Sequence, residues 1–148
     1  MDCVVFDIDG TLAEFDADRL GHLVHGEDKH WDAFHDAMHD TAVIEPVARL
    51  LTRLRASGEG IVLCSGRPAG WQHRTEDWLA RAGLGYDGIY LRPEGADAWS
   101  DPDVKSHLLD RMRADGFRPW LVVDDRSAVV DFWRDAGLVC LQCAPGAF

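Results

Sequence analysis

A doubly wound, parallel five-stranded α/β sheet is predicted by three features of the sequence. Short runs rich in Val, Ile and Leu recur at residues 3–8, 60–64, 88–91, 120–123 and 138–141, each apolar enough to be buried on both faces. Helical patterns lie between them, and parallel strands joined by right-handed crossovers close into one sheet. Acids, hydroxyls and glycines gather just after the strands, where ligands bind in such sheets.

The first run ends in Asp7-Ile8-Asp9-Gly10-Thr11. An extended backbone sends residues i and i+2 to the same side, so both carboxylates can face one point beyond the sheet edge. Two like charges held that close need a cation or a shared proton. Residues 13–41, polar and rich in His and Asp, break the rhythm and are predicted to be a long loop with a short helix, a small cap-like insert over the site. Within it His35-Asp36-Ala37-Met38-His39 comes close to H-E-x-x-H, but its Asp is one methylene shorter than the base a zinc protease needs. His22, His25 and His30 lie in polar sequence and read as solvated.

Residues 46–56 place Val47, Leu50, Leu51 and Leu54 at helical spacing before Ser57-Gly58 ends the helix. After the second strand, Ser65-Gly66-Arg67 offers a hydroxyl, a permissive turn and a guanidinium, all suited to phosphate oxygens. Helices are predicted at 75–82, 104–114 and 128–136, the last stopped by Gly137. Lys105 opens the second of these, within reach of the same edge, and Asp124-Asp125 follows the fourth strand. Trp71, Trp78 and Trp133 sit in helical apolar patterns and read as core, whereas Trp31 and Trp99 lie in polar stretches where an indole can stack on a nucleobase.

The length, 148 residues, suits one compact domain spanning 1–148. Acids outnumber bases, 26 to 15, for a formal charge of −11, which argues against tight general binding to a polyphosphate backbone. With no apolar run near the ~20 residues that span a bilayer and no signal-like start, a cytoplasmic location and no membrane partner are expected. Cys3, Cys64 and Cys140 fall inside apolar strands as reduced core thiols, and Cys140-x-x-Cys143 is a single pair without a second.

This residue set suits Mg2+, which takes oxygen ligands and is held by one or two carboxylates plus a substrate phosphate. Asp7 is the expected nucleophile and metal ligand, Asp9 the general acid and base, and Asp124 a second ligand. Ser65 and Lys105 are expected to hold phosphoryl oxygens, and Gly10 to make the turn that admits the substrate.

The arrangement resembles the haloacid dehalogenase superfamily of phosphohydrolases, with Asp7-Ile8-Asp9-Gly10-Thr11, Ser65, Lys105 and Asp124-Asp125 as its four motifs. Within it, "FDIDGTLA", "SGRP" followed by Arg74-Thr75, "YDGIYLRPEG" and "VDDRSAVVDFWRDAGLVCLQCAPGAF" resemble the 3'-phosphatase domains of bacteriophage-type polynucleotide kinase-phosphatases. The resemblance implies a Rossmann-like phosphatase that uses Mg2+ and an aspartyl-phosphate to remove 3'-phosphates from DNA or RNA ends or from nucleoside 3'-monophosphates. It also implies that the Asp9 backbone carbonyl ligates the metal and that Thr11, Gly66, Arg67 and, more loosely, Arg19 contact substrate beside the stacking indole expected of Trp99, while Asp101 orients Lys105 and Asp125 supports the site. The family's Gly-Asp-x-Arg reads Ala96-Asp97-Ala98-Trp99 here, and there is no G-x-x-x-x-G-K-[ST] loop, so a kinase or ligase partner would be a separate unit. Two other classes share parts of the pattern: phosphatases of sugar phosphates or nucleotides, which the acidic surface suits, and non-hydrolytic receiver modules. In receivers the acidic pair follows strand one rather than strand four.

Overall fold

The computed structural model describes residues 1–23, 30–38 and 40–148, apart from the side chains of residues 17, 18, 31, 35 and 36. Strands β1 (Asp2–Phe6), β2 (Gly60–Pro68), β3 (Gly88–Arg92), β4 (Arg118–Asp124) and β5 (Cys140–Gln142) form one sheet in the order β3-β2-β1-β4-β5. Every pairing is parallel, as predicted.

Alternation along the strands sorts the core into two layers. Val4 and Phe6 of β1 join Ile61 and Leu63 of β2 on one face, covered by Leu51 of α3 (Glu45–Ala56) and Leu79 of α4 (Gln72–Arg81). Val5 and Val62 point the other way, onto Leu108 and Met112 of α5 (Asp101–Ala114) and Trp133 of α6 (Ser127–Asp135). Helix α5 starts where Ser100 accepts a hydrogen bond from the Asp103 N–H at 3.2 Å, with Pro102 in the first turn.

Several boundaries differ from the sequence reading, and those of β1, β2 and the insert bear on the site. Strand β1 stops at Phe6, because the Ile8 carbonyl accepts from the N–H groups of Thr11, Leu12 and Ala13 and turns the chain. Strand β2 runs four residues past Cys64: the register with β3 breaks after Cys64 and resumes at Pro68, opposite Arg92. Among its described residues the insert holds two α-helices, α1 (Ala17–Leu20) and α2 (Trp31–Met38), and α2 is anchored by Phe34 and Met38 in the core. His22 and His30 are exposed, while His25 and His39 and the side chains of Trp31, His35 and Asp36 lie outside the described residues. Trp78 and Trp133 are buried, as are Cys3, Cys64 and Cys140; Cys143 is exposed, and all four thiols are free. No helix among the described residues is long and apolar enough to cross a membrane.

Candidate active site

The carboxyl ends of β1, β2 and β4 meet α5 around one pocket, and local backbone rules put each side chain there. The Asp7 N–H donates to the Val123 carbonyl at 3.1 Å, extending the β1–β4 ladder one residue beyond the strand and setting Asp7 at its lip. Ser65, Gly66 and Arg67 occupy the irregular stretch of β2, where they leave the ladder and line the pocket. Lys105 lies in the second turn of α5 and reaches back into the sheet.

Lys105 donates from Nζ to Asp7 Oδ1 at 2.9 Å and to the Cys64 carbonyl, and lies 3.7 Å from Asp124 Oδ2. Burial works against this ammonium, yet Asp7 and Asp124 together hold its pKa well above the usual lysine value. It stays charged. Asp124 is gripped by donors: its Oδ1 accepts from the Asp125 N–H at 2.8 Å and its Oδ2 from the Trp133 indole N–H at 3.1 Å. Thr11 Oγ1 bridges Asp7 Oδ2, at 3.4 Å, and Asp125 Oδ1, at 3.2 Å.

Asp7, Asp124 and Asp125 each present an oxygen within 4.8 Å of the others, all buried. Burial, and next the charge of Asp124, push the Asp7 carboxyl well above its ordinary range against the pull of Lys105. The same two causes raise Asp125 to about 6. One ammonium does not balance three buried carboxylates, so the donor set fits a hard divalent cation. Asp125, expected only in support, belongs to this cluster as fully as Asp7 and Asp124.

Asp9 lines the same pocket but has a different partner. Arg67 clamps it with Nε to Oδ2 at 2.9 Å and Nη2 to Oδ1 at 2.6 Å, while Nη1 lies 3.5 Å from Thr75 Oγ1. Burial opposes the Arg67 charge, and Asp9 more than compensates. The Ser65 hydroxyl accepts from the Arg67 N–H at 3.1 Å. Gly10 is required for a reason the motif alone did not reveal: its φ is +85°, and a Cβ there would lie 2.1 Å from Asp125 Oδ2.

Asp101, expected to orient Lys105, is held by two arginines. Its Oδ1 accepts from Arg92 Nη2 and its Oδ2 from Arg126 Nη1, both at 2.6 Å. Arg92, fully buried at the end of β3, also donates to the carbonyls of Gly66, Ala96 and Trp99, each at 2.8 Å. Sequence reasoning missed Arg92 and Arg126, although an arginine closing an apolar strand before proline was a visible signal. Trp99 is about 40% exposed, packs edge-on to His107 at 5.6 Å and does not line the pocket. Arg19 borders a groove beyond it. Phe15, Phe34 and Phe148 form one wall of the pocket.

The pocket holds about 60 Å³. A buried water needs ~10–15 Å³ in this measure, so a phosphoryl group with a few waters fits and a larger substrate must project outward.

The family model for the polynucleotide kinase PNKP phosphatase domain matches residues 1–148. The chain resembles solved structures of the Pnkp1/Rnl/Hen1 complex (TM-score 0.80, 28% identity) and the Pnkp1/Rnl/Hen1 RNA repair complex (TM-score 0.80, 29% identity). Each match covers 99% of this chain but only 47% and 43% of the other, so the chain spans less than half the length of those relatives. The class C acid phosphatase from Bacillus anthracis shares the fold (TM-score 0.65, 15% identity, 99% of this chain and 66% of that one). The chain belongs to the polynucleotide kinase PNKP phosphatase domain family, a haloacid dehalogenase-like phosphatase domain.

Proposed function

From the premise that this is a PNKP phosphatase domain, we propose that residues 1–148 act as one Mg2+-dependent phosphomonoesterase unit, removing 3'-phosphates from DNA or RNA ends or from nucleoside 3'-monophosphates. The observation that carries this reading is Asp7, 2.9 Å from Lys105 and grouped with Asp124 and Asp125 in a pocket that fits little more than a phosphoryl group. Asp7, Asp124, Asp125 and the Asp9 backbone carbonyl would hold the metal, which supplies charge to neutralise phosphoryl oxygens and to orient them for attack.

Asp7 Oδ attacks phosphorus as the ester P–O bond breaks, and the leaving alkoxide takes a proton from Asp9. A water then attacks the aspartyl-phosphate, Asp9 removes its proton, and inorganic phosphate leaves with Asp7 restored. Lys105, the Ser65 hydroxyl, Thr11 and the Gly66 backbone steady the charge that builds on the transferred oxygens. Arg67 holds both Asp9 oxygens in the free protein. An arriving phosphoryl group competes for that guanidinium and releases Asp9 for proton transfer.

The matched Pnkp1 stands with Rnl and Hen1 in an RNA repair complex, which supports placing this phosphatase beside a separate kinase or ligase. The net charge of −11 favours a second reading, a phosphatase of small metabolites. Phosphate release from a 3'-phosphorylated oligonucleotide, its 5'-phosphorylated counterpart and glycerol 2-phosphate, with Asp7→Asn as control, separates them. Release from the 3' end alone supports end healing. Release from the small ester alone moves the function to metabolites.

A further inference from the structure

The chemistry above uses the floor of the pocket and leaves its aromatic wall without a task. Phe15, just after the β1 turn, Phe34 of α2 and Phe148 of the tail line the same pocket as Asp7 and Asp9. The Phe15 ring meets Phe34 edge-on at 5.7 Å and Phe148 tilted at 5.6 Å. Phe34 is buried; Phe15 and Phe148 keep part of their surface exposed.

The wall is braced from behind. Arg126 donates from Nε to the Phe148 backbone oxygen at 2.9 Å, stands 5.8 Å over its ring, and is itself tied to Asp101. The tail is pressed onto the end of β4: the Ser127 N–H donates to the Gly146 carbonyl at 2.8 Å, and a Cβ at Gly146 would fall 1.9 Å from the Asp125 carbonyl oxygen. Phe148 is thereby held against the mouth of the phosphate pocket.

We propose that Phe15 and Phe148 form a nucleobase subsite, on which the base of the nucleoside bearing the scissile phosphate stacks. The inference rests on the phosphomonoesterase reading of the pocket and names its substrate class. A pocket of about 60 Å³ takes the phosphoryl group, so the alcohol part of the ester must emerge across the wall. Aromatic rings suit a π-surface such as a base better than a base-free sugar. Among the described residues, the groove beyond the wall is lined by Glu14, Asp16 and Asp40 and by the basic Arg19. Among the described residues there, acids outnumber bases, so further phosphates of a strand meet little counter-charge and recognition stops at the terminal nucleoside.

The test compares kcat and KM for a nucleoside 3'-monophosphate, a 3'-phosphorylated oligonucleotide, the same oligonucleotide ending in an abasic 3'-phosphate, and glycerol 2-phosphate. The proposal expects the mononucleotide and the oligonucleotide to differ by no more than about three-fold in KM, and the abasic end to be about ten-fold worse or more. Phe148→Ala should raise KM about ten-fold on base-bearing substrates alone, leave kcat in place, and be reversed by Phe148→Trp; Phe15→Leu should act in the same direction. Equal KM for base-bearing and abasic ends, or a loss at Phe148→Ala shared by all four substrates, overturns the subsite while leaving the phosphatase intact. Should no substrate release phosphate, the phosphatase reading itself fails. Calorimetric binding of a nucleoside 3'-monophosphate against ribose 5-phosphate, with and without Phe148→Ala, then still decides the subsite: equal affinities overturn it.

Discussion

On the floor of the pocket, Asp7, Asp124 and Asp125 crowd within 4.8 Å around one ammonium, whereas at the rim Asp101 alone takes two guanidiniums, Arg92 and Arg126, each at 2.6 Å. The floor is short of positive charge and the rim has enough. An acid excess at buried strand ends suits a cation; a carboxylate shared by two arginines that also donate to backbone carbonyls is a brace. Changes on the floor should therefore act on chemistry and metal binding, and changes at the rim on shape and substrate choice.

The strongest way to break this contrast is Lys105→Met. Without its ammonium the buried acids repel one another, so in chelator the protein should lose ~3–5 kcal/mol of stability, read by urea unfolding, and recover part of it in Mg2+. A loss that Mg2+ does not touch would argue that the floor holds no cation. Asp7→Asn should lower phosphate release by at least about a thousand-fold, yet leave the melting temperature in chelator no lower, since it removes one of three like charges. A clear fall in melting temperature would give Asp7 a structural duty that the floor is not expected to impose.

A pH series sharpens the same point. Asp125 titrates near 6 in the folded protein against an ordinary 3.8, so the folded state binds its proton more tightly than the unfolded state does. The strain of ionising it is absent below about 4 and complete above about 6. In chelator, Asp125→Asn should therefore gain stability relative to the unaltered protein as pH rises across that window; a flat difference by thermal melting would show that Asp125 is not strained. At the rim the effect is smaller: Arg92→Lys, which cannot reproduce four directed hydrogen bonds, should cost ~1–3 kcal/mol by urea unfolding and leave the Mg2+ affinity unchanged. A shift in metal affinity would mean that rim and floor are coupled.

The floor was legible because its chemistry is local. Asp7 and Asp9, Ser65 and Arg67, and Asp124 and Asp125 each sit at the end of an apolar run, and a parallel sheet brings such ends together. The rim was not. Arg92 looked like an ordinary strand end and Arg126 like an afterthought to an acidic pair. Trp99 and Arg19, expected to contact substrate, stand away from the floor: Trp99 packs on His107 and Arg19 lines the outer groove. Nothing in their spacing told a side chain aimed at the pocket from one aimed past it.

By itself the sequence determined the parallel sheet and the acid-rich edge, through strand periodicity and the residues placed after each strand. Tertiary structure decided the partners: that Asp9 pairs with Arg67, that Asp125 joins Asp7 and Asp124, that Asp101 serves two arginines, and that three phenylalanines from distant segments share a wall. Periodicity is a property of neighbours along the chain, and these pairings depend on which way separate segments turn once they meet.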